Sequence, residues 1–175
     1  YWDWNTRLQA EDYRKFCGTA PQLMVFGMRE ALDMIFEEGL ENIYERHRVL
    51  AEATHAAVEV WSQAGTLSLN AIEPKERSTA VTTILTDEGV DANMIRDVCR
   101  DEMMVGLGGG LGNLAGRAFR VGHMGDMNAP MLFAALASIE ATFRYLDIKF
   151  APGGVTAAIE HVAQSKKVGT GPFSY

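Results

Sequence analysis

Apolar residues recur every three or four positions in two long stretches near the start of the chain, which is the spacing of an α-helix. In the first stretch, residues 24–36, further apolar residues lie beside the main stripe. This predicts a helix that is buried on more than one side and that ends at Gly39 in a left-handed conformation. The second stretch, residues 40–61, has one apolar stripe and a charged outer face, and Gly65 follows it. The pattern therefore predicts two long consecutive helices.

Shorter patterns follow, in which strands and helices alternate. Residues 67–71 alternate apolar and polar side chains, and residues 79–86 are rich in β-branched ones, so we predict a strand in each. Asp91 is a good N-cap for a helix that runs to about residue 103. Four residues should form the buried side of this helix: Met94, Ile95, Val98 and Cys99.

One more strand and two more helices complete the pattern. Residues 117–124 carry apolar side chains around Arg120 and predict a partly buried strand. Asn128 and Pro130 begin a helix with a regular apolar stripe, and residues 155–164 form a last short helix. Strands separated by helices with apolar stripes predict an α+β fold, in which a small, mostly antiparallel sheet has helices packed on one face and is preceded by long helices.

Composition and charge narrow the class of protein. A chain of 175 residues with 47% hydrophobic content can bury the core of one domain. Its net charge of −7 argues against an electrostatic nucleic-acid binder, which would present a basic face, so no nucleic-acid partner is expected. No run of 18 apolar residues occurs, and we expect no membrane span and no membrane partner.

The cysteines and histidines do not indicate a metal site or a disulfide framework. Cys17 and Cys99 have no Cys or His neighbours at zinc spacing, so they are interpreted as reduced thiols of a cytoplasmic protein. His47 and His55 are eight positions apart on the second predicted helix. We expect His47 near the edge of the core and His55 on the surface, with no metal bound.

The glycine-dense stretch at residues 105–112 leads directly into the strand that carries Arg120. An unpaired charge on a partly buried strand is costly, so Arg120 should have an anionic partner. Two partners are possible at this stage: an acidic residue of the chain, or the carboxylate of a ligand, which a guanidinium can hold with two parallel hydrogen bonds.

Other chemistry that such a stretch could support is disfavoured. Residues 110–115 match a loose dinucleotide-binding pattern, but that pattern needs a helix immediately after the glycines, and here a strand follows. No Walker lysine follows the glycines either. No serine near His123 stands in the sharp turn that a serine nucleophile requires. The glycines are better explained as a turn that lets the backbone approach a ligand or partner closely.

Taken together, four motifs resemble the C-terminal part of class V, fold type I aminotransferases of the alanine–glyoxylate and serine–glyoxylate type. In chain order they are GTAP at residues 18–21, FGMREAL at 26–32, EEGLE at 37–41 and FRVGHMG at 119–125. The resemblance covers about residues 1–164. It implies a homodimeric enzyme that uses pyridoxal 5′-phosphate (PLP) to move an amino group between a small amino acid, serine or alanine, and a 2-oxo acid, glyoxylate or pyruvate.

The resemblance also implies roles for individual residues. Arg120 matches the arginine that grips the substrate carboxylate, and Thr19 matches a residue that reaches the cofactor phosphate of the partner subunit. Phe16 stands where some members carry a tyrosine that contacts this phosphate, a contact that phenylalanine cannot make. The implied domains are a linker with an interdomain helix at residues 1–39, a small α+β domain at 40–164, and a flexible tail at 165–175.

The lysine that holds PLP in these enzymes has no counterpart in this sequence. It is expected upstream in a missing N-terminal large domain, so no catalytic residue is assigned in this segment, and the segment alone should be inactive. The chain opens at Tyr1 without an initiator methionine, and we expect it to be a piece of a longer protein. Five lysines stand in unrelated contexts: Lys15, Lys75, Lys149, Lys166 and Lys167.

Two alternatives remain open from the sequence. The first is a non-catalytic module that dimerises through its apolar helix stripes and binds a partner through the glycine loop. The second keeps the fold and changes the substrate to ureidoglycine or pyridoxamine.

Overall fold

The computed structural model describes residues 2–9, 11–12, 15–16 and 18–165. The chain divides into two units, Tyr1–Leu40 and Glu41–Tyr175. The tail that we predicted from residue 165 onward lies, after its first residue, outside the described residues.

The first unit contains a short helix and a long one. Helix α1 spans Trp4–Gln9, and helix α2 spans Gln22–Glu38. The predicted end of α2 is confirmed: the N–H of Gly39 donates to the carbonyl of Ile35 at 2.9 Å, and Gly39 has a φ of 86°. Its ψ of 136° differs from the left-handed helical value that we predicted. None of the α2 residues is buried.

The second unit contains the sheet and the remaining helices. In chain order they are α3 (Leu40–Trp61), β1 (Leu67–Leu69), β2 (Val81–Thr86), α4 (Ala92–Asp101), β3 (Gly108–Gly109), β4 (Ala118–Gly122), α5 (Ala129–Tyr145) and α6 (Gly154–Gln164). Only the first residue of α3, Leu40, is assigned to the first unit. None of the helices in the described ranges combines the length and the apolar character needed to cross a membrane.

The sheet has four antiparallel strands in the order β1-β2-β4-β3. The predicted fold class, α+β with a small antiparallel sheet and helices, is confirmed. Strand β3 was not predicted, because its two residues are glycines from the stretch that we interpreted as a turn. Strand β4 is central: Arg120 lies opposite Thr83 of β2 on one side and opposite Gly108 of β3 on the other.

The core lies on one face of the sheet. Side chains of α3, α4, α5 and α6 pack there with Ile84 of β2 and with Phe119 and Val121 of β4. Phe143 of α5 stands edge-on to Trp61 of α3, with the ring centroids 5.4 Å apart. Burial of this many apolar side chains on a single face stabilises the unit, at about 25 cal/mol for each Å² removed from water.

Two helix starts agree with the sequence prediction and one packing prediction does not. The side chains of Asp91 and Asn128 cap α4 and α5, and they accept hydrogen bonds from the backbone N–H groups of Asn93 and Met131. The prediction that Met94 is buried is wrong, since it is 52% exposed. The apolar stripe of α4 is narrower than predicted.

Candidate functional site

Arg120 lies on the face of β4 that points away from the helices. Because successive side chains of a strand point to opposite faces, the burial of Phe119 and Val121 in the core places Arg120 on the other face. Its cross-strand neighbours are Thr83 and Gly108. The side chain is partly buried.

The Arg120 guanidinium has one hydrogen bond to the backbone. Its Nε donates to the carbonyl oxygen of Gly109 at 2.7 Å. Within residues 2–9, 11–12, 15–16 and 18–165, no carboxylate forms a salt bridge with Arg120. Of the two partners that the sequence allowed for Arg120, an acidic residue of the chain is therefore not found in the described part of the chain. The bond through Nε leaves Nη1 and Nη2 to bind the two oxygens of a carboxylate.

The glycines before β4 are needed for close approach. A Cβ atom on Gly108 would lie 3.2 Å from the Cβ of Arg120 and 3.3 Å from its Nε, so glycine makes room for the arginine side chain. A Cβ atom on Gly110 would lie 2.0 Å from the carbonyl oxygen of Leu114, which no side chain could tolerate. The sequence predicted that the backbone approaches a ligand or partner here. The close approaches among the described residues are within the chain: β3 approaches Arg120, and Gly110 approaches the turn at Leu114.

The segment after β4 is held by α3. Arg46 Nη1 donates to the carbonyl oxygens of Gly125 and Met127 at 2.8 and 2.9 Å, and the N–H of Gly125 donates to His47 Nε2 at 2.9 Å. These contacts join residues about eighty positions apart. Nothing local in the sequence signals these contacts, so sequence reasoning missed that Arg46 holds the segment that follows the Arg120 strand.

His123, which follows β4, is fully buried and neutral. Its Nδ1 lies 3.2 Å from the carbonyl oxygen of Thr79, and its Nε2 lies 2.9 Å from the Thr82 hydroxyl. Since a carbonyl can only accept, Nδ1 carries the proton, and Nε2 accepts from Thr82. Burial, followed by the nearby His55, lowers the pKa of His123 to about 4. His123 is therefore a structural residue at neutral pH.

The prediction that His55 lies on the surface is wrong, since this residue is buried. Its ring stands edge-on to that of His123, with the centroids 6.1 Å apart, and burial lowers its pKa as well. Over the described residues, no three His, Cys, Asp or Glu side chains are grouped so that they could hold a metal ion.

The predicted phosphate-binding position lies in the first unit, whereas Arg120 lies in the second. Thr19 is exposed, and its hydroxyl has no hydrogen bond to a described residue. It stands three positions before α2, whose N-cap residue, Pro21, makes no side-chain hydrogen bond to the helix. A phosphate can accept hydrogen bonds from a hydroxyl and from the N–H groups at the start of a helix. Phe16 is also exposed.

Comparisons with known proteins agree with the motif resemblance. No protein-family model matches the chain. The serine–glyoxylate aminotransferase of Methylorubrum extorquens is 40% identical over 166 residues, which are 94% of this chain and 40% of the relative. The L-aspartate–glyoxylate aminotransferase of Paracoccus denitrificans is 35% identical over 84% of this chain and 36% of the relative.

A solved structure supports the same relationship. The ureidoglycine–glyoxylate aminotransferase of Bacillus subtilis superposes with a TM-score of 0.78 at 25% identity, over 91% of this chain and 41% of the other. The chain thus spans about two fifths of the length of the curated relatives that it matches. The predicted resemblance is confirmed over nearly all of the chain.

Proposed function

We propose that this chain, a relative of the glyoxylate aminotransferases over 94% of its length, is the C-terminal part of a PLP-dependent aminotransferase. The whole enzyme would move an amino group from a small amino acid, serine or alanine, to glyoxylate or pyruvate. The observation that carries this proposal is Arg120: a partly buried guanidinium on the open face of the sheet, without a carboxylate partner among the described residues.

Arg120 would bind the carboxylate that the amino donor and the oxo-acid acceptor share. Its Nε is already bonded to Gly109, so the side chain is fixed before a substrate arrives. A fixed donor loses less conformational freedom on binding than a mobile one, and the terminal nitrogens can form two parallel, charge-assisted hydrogen bonds. The same clamp would serve both half-reactions, because each substrate carries one carboxylate.

Thr19 would contribute to holding the cofactor phosphate of a partner subunit. Its exposed hydroxyl and the start of α2, which has no side-chain cap, fit a phosphate, although they supply only part of the donors that such a group needs. When bound, PLP supplies the electron sink for amino transfer. The lysine that holds it and moves the proton is proposed to lie in an N-terminal large domain, so the 175-residue chain alone should be inactive.

The apolar surface of α2 supports partners for this segment. Eight large apolar residues of this helix are more than a third exposed: Leu23, Met24, Val25, Phe26, Met28, Leu32, Met34 and Phe36. Exposed apolar surface of this extent favours association. We propose that the large domain and the second subunit of a homodimer cover it, in a cytoplasmic enzyme.

The test is a substitution of Arg120 in the full-length enzyme. Arg120→Ala should lower kcat/KM for the amino donor by roughly 10- to 150-fold, the loss of a charge-assisted pair worth about 1.5–3 kcal/mol. Arg117→Ala is the matched control, because it removes an exposed guanidinium three positions earlier and should leave kcat/KM within about twofold. Equal kcat/KM values for both variants would refute the clamp.

Ureidoglycine is a second candidate for the amino donor, and the structural likeness to the Bacillus subtilis enzyme favours it. It differs from serine in its side group and not in its carboxylate, so Arg120 would serve both. A panel of L-serine, L-alanine, L-aspartate and ureidoglycine, each with glyoxylate as acceptor, separates these donors by kcat/KM. The pyridoxamine alternative stays a prediction. Pyridoxamine has no carboxylate, so this donor would show as activity in which Arg120→Ala weakens the use of the oxo-acid acceptor but not that of the amino donor.

A further inference from the structure

Strand β3, whose Gly109 accepts the hydrogen bond from Arg120, has a second arginine, Arg96, on its opposite side. A Cβ atom on Gly109 would lie 3.0 Å from Nη1 and 3.1 Å from Cζ of Arg96, so the Arg96 guanidinium rests on the backbone at Gly109. Gly109 pairs with Phe119, whose side chain enters the core, whereas Gly108 pairs with Arg120. Strand β3 therefore has Arg96 on its helix side and Arg120 on its open side.

Arg96 is tied to both the helix and the loop before β3. Its Nε donates to the carbonyl oxygen of Leu107 at 3.2 Å, and its Nη1 donates to Asn93 Oδ1 at 3.0 Å. Within the part of the chain that the structure describes, it forms no salt bridge. Arg96 is therefore not explained as the partner of an acidic residue. Its hydrogen bonds instead attach α4 to the start of β3.

The contacts of Arg96 reach Arg120 through one peptide segment. Leu107 accepts from Arg96, Gly109 lies against the Arg96 guanidinium, and the carbonyl oxygen of Gly109 accepts from Arg120 Nε at 2.7 Å. Backbone pairing with β4 and the hydrogen bond from the N–H of Gly110 to the carbonyl oxygen of Ala118 at 2.9 Å also hold β3, but its two glycines add no side-chain packing of their own. Arg96 supplies a side-chain contact to this strand from the helix side. Any shift of β3 moves the acceptor that sets the direction of the Arg120 guanidinium.

We propose that Arg96 is a positioning residue for substrate carboxylate binding, which acts through β3 to aim Arg120. This inference rests on the proposed function of Arg120. Arg96 itself does not touch the substrate. It holds Leu107 and Gly109 so that Nε of Arg120 is occupied and its two terminal nitrogens face the incoming carboxylate.

A double-mutant cycle in the full-length enzyme tests the proposal. Arg96→Ala should lower kcat/KM for the amino donor by roughly tenfold, mainly by raising KM, because the misdirected clamp weakens carboxylate binding. The inhibition constant of 3-hydroxypropanoate, which has the carboxylate of serine but no amino group to transfer, should rise by a similar factor. In an Arg120→Ala background, Arg96→Ala should change neither quantity by more than about twofold.

Three further variants keep the result interpretable. Arg100→Ala is the matched control on the same helix, since Arg100 is exposed and pairs with Asp97 and Asp101, and it should behave like the wild type. Gly109→Ala leaves Arg96 in the sequence but displaces its guanidinium, and it should reproduce the loss. Arg96→Lys keeps the charge without the planar group and should recover only part of the activity if position matters more than charge.

The outcomes separate this inference from the proposed function. If Arg120→Ala has no effect, the carboxylate clamp itself is wrong. If Arg120→Ala impairs the enzyme while both Arg96→Ala and Gly109→Ala retain wild-type kinetics, only the role of Arg96 is overturned. An Arg96→Ala effect of the same size in the Arg120→Ala background also overturns it, because the effect would then not pass through Arg120. Full recovery by Arg96→Lys overturns it as well, because charge alone, and not the contact of the planar group with β3, would then explain the effect.

Discussion

Helices α2 and α5 each have 17 residues, yet they differ in how many of these residues are buried. In α5, six residues are buried, and they include Leu132, Leu136, Ile139 and Phe143 on one stripe. In α2 none is buried, although its sequence is also rich in apolar residues. Similar composition thus leads to a core helix in one unit and to an apolar surface in the other.

The difference shows what the apolar pattern of a helix can and cannot establish. Periodicity indicates that a face will be covered, but it does not identify what covers it. For α5 the cover is the sheet and the neighbouring helices of the same unit. For α2 we propose that it comes from the rest of the enzyme. The second unit should therefore account for most of the stability of this chain, which can be tested residue by residue.

The largest contrast is expected between two phenylalanines. Phe143→Ala empties a fully buried position beside Trp61 and should lower the free energy of unfolding by about 3–5 kcal/mol. Phe26→Ala on α2, where the side chain is exposed, should change it by less than about 0.5 kcal/mol. Urea unfolding of the 175-residue chain, followed by circular dichroism, measures both. Similar losses for the two variants would mean that α2 belongs to the cooperative core.

The local sequence predicts much of the second unit, for reasons that the two cap residues illustrate. Asp91 and Asn128 were identified as helix starts because a cap depends on the chemistry of adjacent residues. Strand β3 was missed because glycines carry no side-chain pattern, and these two form a strand only where β4 lies beside them. The backbone acceptor of Arg120 depends on that pairing and was missed with it.

The remaining site residues show the same limit. His55 was predicted on the surface because it lies outside the apolar stripe of residues 40–61. In the fold it is buried against His123, which follows β4. The contacts of Arg46 and His47 with the segment near Gly125 also join distant parts of the chain. Arg120 was identified because one charge on an apolar strand is conspicuous, while its role and that of Thr19 remain predictions.

A pH titration should affect the second unit through His123. The pKa of this residue is about 4 in the folded protein and about 6.5 in an unfolded chain, so the unfolded state binds the proton first as the pH falls. The stability that neutral His123 contributes is complete above about pH 6.5 and is lost progressively down to pH 4, by up to about 3 kcal/mol. The buried His55, whose pKa is also lowered, acts in the same direction.

Urea midpoints measured between pH 7.5 and pH 4 would show this loss. His123→Asn removes the titrating ring and should be less stable at pH 7.5 but flatter in its pH dependence. The carboxyl groups with lowered pKa values, Asp3, Asp12 and Asp101, lose their contribution to stability only as the pH approaches the unfolded-state pKa of about 4, so the loss between pH 6.5 and pH 5 reports the histidines. A wild-type chain whose stability stays constant from pH 6.5 to pH 4 would contradict a neutral, buried His123.

A moderate effect is expected from the helix caps. Asn128→Ala removes the side chain that accepts from the N–H of Met131 and should cost about 1 kcal/mol of stability, because α5 carries buried residues. Pro21→Ser offers a cap to α2, which has none, and should leave the thermal unfolding midpoint of the second unit unchanged to within about 1 °C. A clear rise in that midpoint for Pro21→Ser would show that α2 and the core unfold together.

The smallest effects are expected from surface ion pairs, which are similar in the two units. Arg29 pairs with Asp33 on α2 at 2.9 Å, and Arg48 pairs with Glu45 and Glu52 on α3. Arg29→Ala and Arg48→Ala should each cost about 0.5 kcal/mol or less in urea unfolding, because exposed pairs gain little in water. Equal small losses would confirm that burial, and not surface charge, distinguishes the units.

The short outer strands of the sheet also limit how this protein can associate. The edges are β1, with three residues, and β3, with two. An edge strand becomes a template for another chain when it offers a long, flat row of unpaired N–H and C=O groups, and neither edge does. Amyloid-like stacking and strand exchange through this sheet are therefore disfavoured, and the exposed apolar side chains of α2 are better suited to association than the edges of the sheet.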